Sequence, residues 1–382
     1  MSRPPIYLDY AAATPVDPSV TQAMQPYLSE QFYNPSAGYL SAKAVAGDLL
    51  AARQSVAHWL GAKPPEIVFT AGGTEANNLA IHGVMSQFPD GNVVISAIEH
   101  ESVRGPAGQY DVREASVTAD GLVDVAALDK LIDDKTVLVS IMYANNEIGT
   151  VQPLREIATV LQKIKEQRRS AGSTRPLFLH TDACQAGNYL DLHPARLGVD
   201  LMTLNGGKIY GPKQTGVLYV KTGVNLEAQI LGGGQERGLR SGTENVAGAI
   251  GFAKALEMTQ EMRATEVKRL TQLRDNLIKG LTEVVPAATI NGSLKKRLPN
   301  NISATFPGID NERLMMQLDE AGIMCAVGSA CSASKDESSH VLKAIGLSDK
   351  EARSTLRFSL GRQTTPGELN KTVKIVKGLL DG

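Results

Sequence analysis

Three short stretches carry residues whose types and spacing could do chemistry. Ala71-Gly-Gly-Thr-Glu-Ala follows a β-rich run, so the amides of Gly72 and Gly73 and the Thr74 hydroxyl can face an anion at a helix N-terminus. The spacing is neither that of a dinucleotide-binding glycine motif nor that of a nucleotide-binding lysine loop, and an ordinary strand-to-helix turn stays open. His180-Thr-Asp-Ala-Cys-Gln puts Asp182 and Gln185 just past a second run, at the edge where open α/β sheets bind ligands. Leu204-Asn-Gly-Gly-Lys puts Lys208 on a glycine-loosened turn beside the same edge. A lysine for an aldehyde, an acid for a ring nitrogen and a cradle for phosphate together suggest pyridoxal 5'-phosphate. Singly, Lys208 reads equally as a surface lysine and Asp182 as a turn or cap aspartate.

A fourth stretch holds a thiol. Cys331 lies in Val327-Gly-Ser-Ala-Cys-Ser-Ala-Ser-Lys-Asp, small and polar residues without strand or helix periodicity, which predicts an exposed loop where a thiolate can act as nucleophile. Cys325 ends an apolar run and reads as core, and Cys184 sits beside Asp182; neither is expected to be catalytic. Three cysteines are too few for a disulfide framework and lack metal-finger spacing, so a reducing, cytoplasmic setting and no metal are expected. Lys and Arg number 39 against 40 Asp and Glu, too balanced to gather nucleic acid or anionic lipid. No segment reads as a signal peptide or a membrane span.

These residues need a scaffold. Apolar runs at Ile67–Thr70, Asn92–Ser96, Val137–Met142, Leu177–His180, Asp200–Leu204 and Gly216–Val220 read as buried strands, with helical patterns between several of them at Thr74–Phe88, Val125–Ile132 and Pro153–Arg169. That alternation predicts an α/β domain with a mostly parallel sheet. A long helical stretch from Asn245 to Val285, weakly broken around Thr259–Ala264, leads into shorter mixed elements. The expectation is a large domain over 15–257, and a smaller α+β domain made of 1–14 and 258–382.

With these pieces in place, the chain resembles the cysteine desulfurases of the class V aminotransferase family, over essentially its whole length. The resemblance rests on Tyr7-Leu-Asp-Tyr-Ala-Ala-Ala-Thr-Pro, Asn34-Pro-Ser, Gly73-Thr-Glu-Ala-Asn-Asn, Glu99-His100, Asn145-Asn-Glu-Ile-Gly, Asp182-Ala-Cys-Gln, Lys208-Ile-Tyr-Gly-Pro-Lys, Arg240-Ser-Gly-Thr-Glu-Asn, Gly328-Ser-Ala-Cys-Ser and Arg357-Phe-Ser-Leu-Gly-Arg. It implies a pyridoxal-phosphate enzyme of fold type I that converts L-cysteine to L-alanine and leaves a persulfide on Cys331, for iron–sulfur cluster assembly or RNA thiolation. Lys208 would hold the cofactor as a Schiff base, Asp182 would pair with the pyridine nitrogen, Gln185 would bond the phenolic oxygen, and His100 would stack on the ring and move protons. Gly73 and Thr74 would bind the phosphate with Thr243 of a second subunit, which implies a homodimer. Asn146 and Arg357 would take the substrate carboxylate, with Asn34 nearby, and a sulfur-acceptor or cluster-scaffold protein would be the partner.

The match frays in three places. Asn205-Gly-Gly207 stands where the family carries serine and histidine side chains for the phosphate; the expectation is that Asn205 donates instead, and that Gly206 and Gly207 open their amides as an anion nest. Ala37-Gly-Tyr-Leu departs from the family's continuation after Asn34, and Ser338 stands where a proline is common. Two other readings follow from the same residues: a selenocysteine lyase, and a degenerate relative that keeps the fold to bind sulfur acceptors.

Overall fold

The computed structural model describes residues 5–328 and 338–381, so Cys331 lies outside the described residues. Strand β1 (Ile6–Tyr7) comes first. Then β2 (Ile67–Thr70), β3 (Asn92–Ser96), β4 (Asp111–Ala115), β5 (Thr136–Ser140), β6 (Phe178–Asp182), β7 (Leu201–Asn205) and β8 (Gly216–Val220) form one sheet, ordered β2-β8-β7-β6-β5-β3-β4. Strand β8 runs antiparallel to both neighbours and every other pairing is parallel. Strands β3, β5 and β8 are buried at every position, as expected when helices cover both faces of a sheet.

Three of the expected strands have the bounds read from the sequence. The run expected to reach Met142 ends at Ser140, because the Met142 amide leaves the ladder to donate to the Glu99 carboxylate at 2.8 Å. Strand β4 has no apolar run to announce it. Its Asp-Val-Arg-Glu-Ala sequence suits a sheet edge, where charged side chains discourage pairing with another chain.

The expected break near Thr259–Ala264 is absent: one helix runs from Val246 to Val284. Thr259 is buried inside it and its hydroxyl donates to the Leu256 carbonyl, so the polar residue is satisfied locally. Phe252 and Leu256 of this helix join the core under the large sheet. Leu270, Leu273, Leu277 and Leu281 join a second core with Ile6, Leu8 and Phe358. The second core is backed by β9 (Thr289–Ile290), β10 (Asn301–Thr305), β11 (Ile323–Met324) and β12 (Thr355–Ser359), with β12-β10-β9 antiparallel and β1 parallel to β11. Among the described residues no helix is long and apolar enough to cross a membrane.

Candidate active site

The carboxyl ends of β2, β3, β5, β6 and β7 share one edge of the sheet. Chain order also reverses there, since β4 and β5 leave β3 on opposite sides. These ends and the segments following them bring Lys208, Asp182, Gln185, His100 and Asn146 to one cavity of about 170 Å³, together with Arg357 from β12.

Each side chain is aimed by its local backbone. Lys208 ends the 3₁₀ turn Gly206–Lys208 directly after β7. Its Nζ donates to the carbonyls of Ala11 and Ala12 at 2.8 and 2.5 Å, and Gln185 Nε2 donates to the same Ala11 carbonyl at 3.0 Å. Asp182 is the last residue of β6 and is only 6% exposed. Its two oxygens accept from the Cys184 amide at 2.9 Å and from Asn77 Nδ2 at 2.7 Å. His100 caps the helix Glu101–Ala107, its Nδ1 accepting from the Ser102 amide at 3.1 Å.

The expected phosphate cradle is built differently. The helix Gly73–Met85 starts from Gly72, whose φ of +126° no side chain tolerates well, and no side chain caps its first turn. A Cβ on Gly73 would sit 2.7 Å from Cys184 Sγ, so a side chain there would close the cradle. The expected nest at Gly206 and Gly207 is not open: the Gly206 amide donates to the Thr215 carbonyl at 2.9 Å and the Gly207 amide to Asn205 Oδ1 at 3.0 Å. Gly206 is glycine for packing, since a Cβ would fall 2.2 Å from Thr215 Oγ1. Asn205 itself lines the cavity. Thr243 is exposed and does not line it, and Asn34 is also exposed, its Oδ1 accepting the Ser36 amide at 2.9 Å in a local turn.

At the other end Arg357 is buried. One of its terminal nitrogens donates to Asp9 at 2.6 Å, the other to the Asn146 carbonyl at 3.0 Å, and its Nε has no partner among the described residues. The chain carrying Cys331 is tied to this region on both sides. Ala326 bridges Arg357, Ser339 Oγ donates to Glu147 at 2.5 Å, and His340 Nε2 lies 2.9 Å from the Glu99 carbonyl. Ser338, which stands where a proline is common, donates to Asp349.

Asp9, Asn77 and Ser102 hold site residues in place without having been singled out in the sequence. Asp9 and Asn77 sit inside stretches that carry the resemblance and Ser102 lies two residues from His100, but what they hold shows only in space, since Asp9 meets Arg357 across 348 positions and Asn77 meets Asp182 across 105 and Ser102 across 25. Glu99 is fully buried, and burial pushes its carboxyl up to about 8 despite hydrogen bonds from Ser96 and Met142. Burial likewise holds the Cys184 thiol well above its ordinary range and pushes Cys325 up to about 12. Neither is a thiolate near neutral pH.

The donor set fits pyridoxal phosphate. An amine, a buried carboxylate with both oxygens oriented, an amide side chain and a cradle shaped by a side-chain-free residue all line one cavity. Among the described residues no cluster suits a metal ion. Residues 6–371 match the aminotransferase class-V family model. The chain belongs to that family. It falls in the cysteine desulfurase group: it is 38% identical to the cysteine desulfurase IscS of Dictyoglomus turgidum, over 98% of this chain and 94% of that protein. The solved structure of a NifS-like protein superposes with a TM-score of 0.90 at 32% identity, covering 99% of both chains. A structure described as SspA in complex with cysteine superposes at 0.79 with 34% identity, covering 93% of this chain and 98% of that one. The fold expected for the family, a large sheet flanked by helices with a smaller α+β part, is the fold observed.

Proposed function

We propose that the protein removes sulfur from L-cysteine, releasing L-alanine and leaving a persulfide on Cys331. The atoms balance, since free cysteine and the Cys331 thiol become alanine and a Cys331 persulfide. The observation that carries this reading is the convergence of Lys208, Asp182, Gln185, His100 and Arg357 on one cavity at the carboxyl edge of the sheet. The neighbour solved with cysteine bound supports cysteine as the substrate.

Pyridoxal phosphate, when bound, supplies an electron sink that weakens bonds at the substrate Cα and Cβ. Lys208 would hold it covalently, Asp182 would keep its ring nitrogen charged, and Gln185 would take the phenolic oxygen. Gly73, Thr74 and Asn205 would take the phosphate. Thr243, exposed and away from its own chain's cavity, would complete the phosphate site of a second copy in a homodimer. Arg357 offers a planar fork to the substrate carboxylate, with Asn146 beside it. Of the cysteines, Cys331 is left as nucleophile, because burial keeps Cys184 and Cys325 protonated. The reading extends to a cytoplasmic enzyme that passes sulfur to an acceptor or scaffold protein for iron–sulfur clusters or RNA thiolation. Retention of Lys208, Asp182, Gln185, His100 and Cys331 together argues against a degenerate binding relative.

The test uses full-length protein with cofactor and L-cysteine, measuring alanine and protein-bound sulfur, and borohydride reduction followed by peptide mass. Added pyridoxyl mass on Lys208 and stoichiometric persulfide on Cys331 are expected. Cys331→Ala should lose about 100-fold or more of alanine formation with the cofactor spectrum unchanged. An unmodified Lys208 sinks the proposal.

A further inference from the structure

A chain of hydrogen bonds joins Asp182 to His100. Asn77 is 1% exposed on the helix Gly73–Met85. Its Nδ2 donates to Asp182 Oδ2 at 2.7 Å and to Ser102 Oγ at 2.8 Å. Ser102 Oγ lies 2.8 Å from His100 Nδ1, and the Ser102 backbone amide points at that same nitrogen at 3.1 Å.

The proton positions follow from chemistry. A carboxylate only accepts, so Asp182 forces the amide nitrogen of Asn77 toward it and thereby orients the whole Asn77 side chain. Ser102 Oγ accepts from that nitrogen, which leaves its own O–H to donate to His100. A backbone amide only donates, so His100 Nδ1 is an acceptor on two counts and the neutral ring must carry its proton on Nε2. Among the described residues no hydrogen bond engages Nε2. Asn77 also leaves its carbonyl oxygen buried with no hydrogen-bond partner among the described residues, which is a cost to the fold. An amide kept at that cost is kept for its two N–H groups.

We infer that Asn77 and Ser102 form a link between Asp182 and His100 that fixes His100 in the Nε2–H tautomer, and that both are positioning residues for the reaction at this site. The inference rests on the cofactor reading for its function, whereas the tautomer itself does not depend on it. Asp182 sets the direction of the side-chain hydrogen bonds in the chain, so the acid that faces the cavity and the Ser102 amide place the His100 proton on the same nitrogen.

The test is ¹⁵N NMR of histidine-labelled holoenzyme, the His100 signals being those missing from His100→Gln, combined with steady-state kinetics. An unprotonated Nδ1 and a protonated Nε2 are expected. Asn77→Ala leaves the Ser102 amide on Nδ1 but frees the Ser102 hydroxyl to turn away, so it should move the Nδ1 signal without protonating that nitrogen and lower kcat about tenfold with KM within twofold, and the same substitution in the His100→Gln background should cost almost nothing further. Ser102→Ala, a smaller change, should follow the same pattern if Asn77→Ala fails to fold. A protonated Nδ1 in the wild type, or an equal kcat loss with and without His100, would overturn the inference. A protein with the expected tautomer but no alanine formation supports the link while sinking the desulfurase reading.

Discussion

The two ends of the cavity are held by different means. At the ring end every group is a side chain held by at least one hydrogen bond with the surrounding protein: Asp182 by Asn77 and the Cys184 amide, His100 by Ser102, Gln185 by the Ala11 carbonyl. At the phosphate end the work falls to backbone, with an uncapped helix start at Gly73 and with the amides of Gly206 and Gly207 already committed within the protein. The ring end is complete in a single chain. The proposed phosphate end has fewer donors, and it is there that the proposed Thr243 of a second copy would add one. Precise placement of a reacting ring demands preorganised side chains, whereas a dianion is satisfied by any sufficient set of N–H donors.

The largest break should come at Lys208. Lys208→Ala should abolish the cofactor's Schiff-base absorbance and lower alanine formation by about 10³-fold or more. Next is Arg357→Lys, which keeps the charge but loses the planar fork and strands Asp9; KM for cysteine should rise about 10- to 100-fold while cofactor affinity holds. The phosphate end should then yield less per residue. Asn205→Ala should weaken pyridoxal phosphate binding about fivefold by equilibrium dialysis, with binding of phosphate-free pyridoxal unaltered. Equal losses for both ligands would erase the distinction between the two ends.

The smallest effect is on stability. The Glu99 carboxyl has its ordinary value of 4.5 when unfolded and about 8 when folded, so the folded protein binds more protons between those values. Stability therefore falls as pH rises from about 4.5 through about 8. Glu99→Gln removes this dependence, and the fall in Tm between pH 5 and pH 8 should shrink by a few °C relative to wild type. An unchanged fall would show that Glu99 stays ionised in the fold.

The buried strands were legible because their apolar runs survive any context. Strand β4 was not, since an edge strand carries charge for reasons that only its place in the sheet supplies. Lys208, Asp182 and the glycine cradle were legible because their chemistry is local to short turns after strands. The Gly206-Gly207 nest was misread, since the partners that take those amides include Thr215, beyond the turn itself.

Taken alone, the sequence determined which side chains could act: the lysine, the acid, the histidine and the thiol, each set in a recognisable short motif. Only the tertiary structure decided how they are held, because Asn77 meets Asp182 across 105 positions and Asp9 meets Arg357 across 348. Hydrogen bonds read distance in space and not along the chain, so which residue orients which is decided only once the chain has folded.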